Sequence, residues 1–160
     1  MEKEEKYRLL TAQVKSLIEG ETDFVSVMAN VCSVIHETMG FFWTGFYVVD
    51  EESHELHVGP FQGSVACMHI AYGRGVCGTA WKEAKTIVVP DVETFPGHIA
   101  CSSLSRSEIV VPVFSKAGEV VAVLDIDSKE LSTFDETDRV YLEGICEMLP
   151  HCSKKEDVLN

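Results

Sequence analysis

The sequence predicts an α+β domain, an antiparallel β-sheet with helices packed on one face. Two helical stripes open the chain, short runs rich in β-branched and aromatic residues follow, and one more helical stripe closes it. The 160 residues are 46% apolar and 24% charged, a globular composition with enough chain for one domain and a core without metal or disulfide staples. The whole of 1–160 is expected to form a single domain, with no repeat, low-complexity stretch or linker.

Each element has a local reason. Tyr7, Leu10, Val14, Leu17 and Ile18 recur at helical spacing over 3–19, and Gly20 offers a stop. Thr22 is positioned to cap a second helix whose stripe is Phe24, Val27, Met28, Val31, Ile35 and Met39, ending at Gly40. Trp43 to Val49 read as a strand, Asp50 to Ser53 as a polar turn, and Glu55 to Val58 as the return of a hairpin. Ser64 to Ile70 are a third strand, and Gly73 to Gly75 break the chain before a short helix over Val76 to Ala84. Thr86 to Val89 are strand-like and closed by Pro90. Val92 to Arg106 carry Pro, Gly, His and several Ser, and read as a long functional loop with one helical turn. Strands at Glu108 to Phe114 and Glu119 to Asp127 flank a turn at Lys116 to Gly118. Thr133 with Glu136 forms a capping box before the last helix, where Asp138, Leu142, Ile145 and Leu149 share one side.

Charge narrows the function. Lys and Arg number 13 against 26 Asp and Glu, a net charge of −13. Binding to nucleic acid or to an anionic membrane needs basic patches, so neither is expected. No apolar run approaches a membrane span, and MEKEEKYRLL lacks the apolar stretch of a signal peptide, so a cytoplasmic location is expected. The 6 cysteines are then thiols, metal ligands or redox centres rather than a disulfide framework. Cys32, Cys146 and Cys152 read as bystanders, while Cys67, Cys77 and Cys101 lie in the Gly-rich middle of the chain.

Five constellations could carry chemistry. Gly73-Arg74-Gly75-Val76-Cys77-Gly78 puts a thiol at a helix start, where the dipole and Arg74 would lower its pKa; the plainer reading is a small buried residue beside a tight turn. In Pro96-Gly97-His98-Ile99-Ala100-Cys101 a histidine three residues before a thiol could stabilise its thiolate, or both could be inert in a loop. Glu108, Asp125 and Asp127 sit in apolar strands, and alternation places Asp125 and Asp127 on one face. Acids so placed repel, raising one pKa toward neutrality and making a proton donor, unless that face meets solvent. Trp43 and Tyr47 share a strand face across Gly45, either as a wall for a small apolar group or as ordinary core. Cys67 and His69, with Cys77, His98 and Cys101, offer zinc ligands, but without a close-spaced pair such as CxxC, so no metal site is expected.

The blocks Gly59-Pro60-Phe61-Gln62-Gly63, Ala66-Cys67, Gly73-Arg74-Gly75-Val76-Cys77-Gly78-Thr79-Ala80, Gly97-His98-Ile99-Ala100-Cys101, Ser107-Glu108-Ile109-Val110 and Leu124-Asp125-Ile126-Asp127-Ser128 occur in order. From Thr22 to Leu149 the chain closely resembles the free methionine-(R)-sulfoxide reductases, small enzymes with the GAF fold. The resemblance implies a GAF domain with a pocket on the sheet face away from the helices. It implies that Cys101 is the catalytic thiol, that Cys67 resolves it by forming a disulfide, and that Cys77 can also pair with Cys67. Glu108, Asp125 and Asp127 are implied to bind substrate and polarise the sulfoxide, and Trp43 and Tyr47 to hold the substrate methyl group. Free methionine-(R)-sulfoxide is then the substrate and thioredoxin the reductant. No metal or organic cofactor is needed, and the role is in the response to oxidative stress. The two N-terminal stripes either pack on the sheet or build a homodimer. A rival from another class is a GAF-type sensor module that binds a small ligand without catalysis, which would not need three cysteines lining a pocket.

Overall fold

A computed structural model describes residues 1–98 and 103–150. The first helix, α1 (Lys3–Ile18), buries Tyr7, Leu10, Val14 and Ile18, the predicted stripe except Leu17. This stripe packs inside the chain, against α2 (Phe24–Met39) and the C-terminal helix α4 (Glu136–Glu147). Helix α2 is capped by Asp23, whose Oδ1 accepts the Ser26 N–H at 3.0 Å, and not by Thr22 as the sequence suggested. Gly40 closes α2 in the left-handed conformation at φ +70°.

The strands are β1 (Trp43–Asp50), β2 (Glu55–Gln62), β3 (His69–Ala71), β4 (Ile87–Val89), β5 (Ser107–Phe114) and β6 (Val120–Ser128). They form one sheet in the order β3-β2-β1-β6-β5-β4, with every neighbouring pair antiparallel. The predicted third strand at Ser64 to Ile70 shrinks to β3. Val65 and Met68 are apolar but exposed, so this part of the chain has no buried face to specify pairing. A 3-10 turn over Val92–Thr94 supplies the helical turn expected in the long loop.

Alternation along β5 and β6 sorts the side chains between two cores. Ile109, Val111, Val113, Ala122, Leu124 and Ile126 face α1, α2 and α4. Val110 and Val123 face the other way, with Trp43, Tyr47, Leu56 and the short helix α3 (Gly75–Glu83). The helices are therefore not all on one face: α3 covers part of the opposite side. No helix among the described residues is long and apolar enough to cross a membrane.

One polar network ties the chain's ends together. Asp138 is fully buried and accepts the Tyr7 hydroxyl at 2.5 Å, the Lys3 ammonium at 2.7 Å and the Asp135 N–H at 2.9 Å. Asp135, rather than Thr133, is the N-cap of α4, and Asp138 returns the second half of the capping box. Asp138→Ala strands the buried Tyr7 hydroxyl and halves the cap, with an expected loss of about 2–4 kcal/mol. The midpoint of urea unfolding measures this, and a loss below about 1 kcal/mol would mean that the network adds little to an ordinary hydrogen bond.

Candidate active site

Strand register builds a row of acids. Trp43 on β1 faces Asp127 on β6, and Asp127 faces Glu108 on β5; the next row is Gly45, Asp125 and Val110, and the one after it places Tyr47 beside Val123. All point to the face that α3 partly covers. A Cβ on Gly45 would collide with Phe61 and the Trp43 ring, so glycine lets the indole lie flat across its own strand. Trp43 stacks on Phe61 with ring centroids 5.3 Å apart and lies 6.1 Å from Tyr47.

Both aromatics also hold a loop. The Trp43 indole N–H donates to the Ser64 carbonyl at 2.9 Å, and the Tyr47 hydroxyl donates to the Cys67 carbonyl at 3.0 Å. The segment that the sequence suggested as a strand is thus tied over the acids. The resulting hollow has a volume of about 580 Å³, its open mouth included. Its walls are Trp43 and Tyr47, Ser64 to Ala66, the start of α3 with Cys77, His98, and the three acids.

The electrostatics follow from burial. Glu108 is buried, and desolvation, followed by the charges of Asp125 and Asp127, holds its carboxyl well above the usual range. Burial raises Asp125 as well, but neighbouring Glu108 and Cys77 and the nearby His98 pull it back toward the ionised form. Both carboxyls are thus held above their ordinary values, Glu108 the more strongly, and the two titrate as one pair. Burial and the Asp125 charge also push Asp127 well above its ordinary value. His98 Nε2 stands 3.8 Å from Glu108 Oε1, and burial lowers its pKa. Asp125 Oδ1 is buried and has no hydrogen-bond partner among the described residues.

The thiols separate. Cys77 lies with its Sγ within 4.8 Å of carboxylate oxygens of Glu108 and Asp125. Its pKa is raised well above the ordinary value by burial and then by the surrounding acids, which favours the plainer reading of a buried thiol over acidification by the helix start and Arg74. Cys67 is half-buried and disulfide-bonded, whereas Cys32, Cys77 and Cys146 are free. Cys101 and Cys152 lie outside the described residues. The zinc set weighed from the sequence divides: Cys77 joins Glu108 and Asp125, while His69 joins Glu55 and His57 on β2 and β3. Sequence reasoning missed the walls from Phe42, Ser64 to Ala66 and Ser105. Of these, Ser64 follows the turn residue Gly63, Ala66 belongs to one of the quoted blocks and Ser105 to the long functional loop, whereas Phe42 and Val65 offered no signal.

A GAF domain family model matches residues 21–148. "GAF domain-containing protein A" of Dictyostelium discoideum is 54% identical over 92% of this chain and 92% of its own length. The free methionine-R-sulfoxide reductase of Saccharomyces cerevisiae is 39% identical over 93% of this chain and 86% of its own. The chain belongs to the free methionine-R-sulfoxide reductase family. Among solved structures, the free methionine-R-sulfoxide reductase of Neisseria meningitidis in complex with its substrate superposes with a TM-score of 0.91 at 51% identity, covering 94% of this chain and 89% of that one. Both the GAF fold and the block resemblance read from the sequence hold for this reductase family member.

Proposed function

We propose that this chain reduces free L-methionine-(R)-sulfoxide to L-methionine in the hollow between α3 and the sheet, using cysteine chemistry. The observation that carries this reading is the buried row of Glu108, Asp125 and Asp127, with Glu108 held well above its ordinary pKa, under an aromatic wall and next to a loop bearing Cys67. A sulfoxide sulfur is a poor electrophile until its oxygen receives a proton, and Glu108 is the group held ready to give one. The orphan Asp125 Oδ1 and the nearby Asp127 suit the substrate ammonium, and Trp43 and Tyr47 suit its S-methyl group.

The atoms balance as follows. The Cys101 thiolate forms a bond to the substrate sulfur as Glu108 protonates the oxygen, giving a four-coordinate sulfur that carries a hydroxyl; the hydroxyl then passes to the Cys101 sulfur as the sulfur–oxygen and sulfur–sulfur bonds break, methionine leaves with the lone pair, and Cys101 is left as a sulfenic acid. The Cys67 thiol condenses with it, releasing water and leaving a disulfide. A dithiol such as thioredoxin then restores both thiols by exchange, so the oxidant is the sulfoxide and the reductant thioredoxin. Cys77, whose pKa burial and the acids push well above its ordinary value, is poorly suited to the first attack.

The test couples the reduced chain to thioredoxin, thioredoxin reductase and NADPH. NADPH loss is expected with the free (R)-sulfoxide and not with the (S)-epimer. Binding of the (R)-sulfoxide without NADPH loss would reject this reading in favour of the ligand-sensing module.

A further inference from the structure

A second constellation lies on the sheet face opposite the hollow. Leu56 and Ile70 are paired across β2 and β3 and point into the core beside the hollow, so their neighbours point away from it. Glu55 and His57, two apart on β2, therefore share the outer face. Register sets His69 of β3 directly opposite His57. Glu55 Oε1 stands 3.0 Å from His57 Nε2 and 3.1 Å from His69 Nδ1, and the imidazoles meet edge to face with centroids 4.5 Å apart. The three ligand atoms all lie within 4.8 Å of one another.

We propose that Glu55, His57 and His69 form a binding site for a divalent transition-metal ion, with zinc the best fit. Bonds of about 2.0–2.1 Å in a tetrahedral arrangement put ligand atoms about 3.3 Å apart, so the carboxylate–imidazole spacings need to open by only a few tenths of an ångström. Two imidazoles and one carboxylate with an open fourth position are a recognised zinc donor set, and such nitrogen-rich sets select Zn, Ni or Cu over Mg or Ca. The scaffold is two hydrogen-bonded strands, so the ligands are pre-positioned. All three side chains reach solvent, which gives the ion entry and leaves room for a water as fourth ligand. Ser53, held by Asp50 Oδ2 at 2.7 Å, places its Oγ 3.3 Å from His57 Nε2, a contact that the ion would displace. The ion would staple the three-residue edge strand β3 to β2, just after the loop that carries Cys67. Nothing in this site depends on the reaction proposed for the hollow.

Isothermal titration of the chelator-stripped, phosphine-reduced chain with Zn²⁺ tests the proposal. A full-length chain carrying Cys67→Ser, Cys77→Ser and Cys101→Ser, titrated alongside, removes thiolate binding at those positions. One equivalent of zinc is expected to bind that chain, and His57→Ala or His69→Ala to weaken it at least about tenfold. In parallel, the imidazole ¹⁵N resonances of His57 and His69 should move on zinc addition while those of His36, His54 and His98 stay, a readout that does not depend on a variant folding well. The proposal is overturned if the serine chain binds no zinc, if neither histidine substitution changes the affinity, or if other histidines report the ion.

Discussion

Cys101→Ser is expected to abolish turnover of the free sulfoxide, by about 10³-fold or more in kcat/KM, as loss of a nucleophile does elsewhere. The described thiols support assigning the attack to Cys101. Cys77 is closest to the acids, but a thiol that must ionise among carboxylates is held neutral, and a neutral thiol is a poor nucleophile. Cys67 is disulfide-bonded here and regains a thiol only after reduction. Its carbonyl is anchored by Tyr47, which holds the loop at the hollow. The cysteine variants should therefore differ in kind. Cys67→Ser should release one equivalent of methionine per chain and then stall, because no disulfide forms for thioredoxin to reduce. Cys77→Ser should stay within about tenfold of the parent, a loss too small for the attacking group. Methionine release under single-turnover conditions, set beside steady-state NADPH loss, separates the three. Undiminished turnover by Cys101→Ser would remove the nucleophile from the scheme.

The element order and the acids were legible because strand alternation and β-branched runs are local signals. Glu108, Asp125 and Asp127 broke an apolar pattern, and the register then set them side by side. What could not be read was set by contacts distant in sequence. The fully buried Asp138 binds Lys3 and Tyr7 from the other end of the chain, and this bond partner selection fixes the α4 cap two residues past Thr133. Cys77 looked acidified because its local sequence shows a helix start and an arginine, while the carboxylates that reverse the effect arrive from β5 and β6. Val65 and Met68 mimic a strand pattern, yet they are exposed on a loop held by two aromatic donors from β1. The Glu55, His57 and His69 cluster is likewise invisible to linear motif spacing, because it forms only across the β2–β3 ladder.

Glu108→Gln should cost about 10²–10⁴-fold in kcat/KM, the usual worth of a positioned general acid. The amide keeps the size and a hydrogen-bond donor toward Asp125 but has no proton to give up to the leaving oxygen. The pH dependence follows from the direction of the shift. Glu108 acts in its protonated form, so its contribution is complete below its raised pKa and disappears as pH rises through it. The parent should therefore show a falling alkaline limb in kcat/KM, and the glutamine chain should lack that limb. On substitution, stability should move the opposite way from activity. Because folding raises this pKa above the unfolded value of 4.5, the folded chain binds more protons than the unfolded one, and stability falls with pH from the unfolded pKa up to the folded one. Glutamine carries no such penalty, so the variant should melt at the same temperature as the parent or higher near neutral pH, while being nearly inactive. A glutamine chain that keeps activity within tenfold of the parent, or retains the same alkaline limb, would show that the proton reaches the sulfoxide from another group, with Asp127 the next acid in the row.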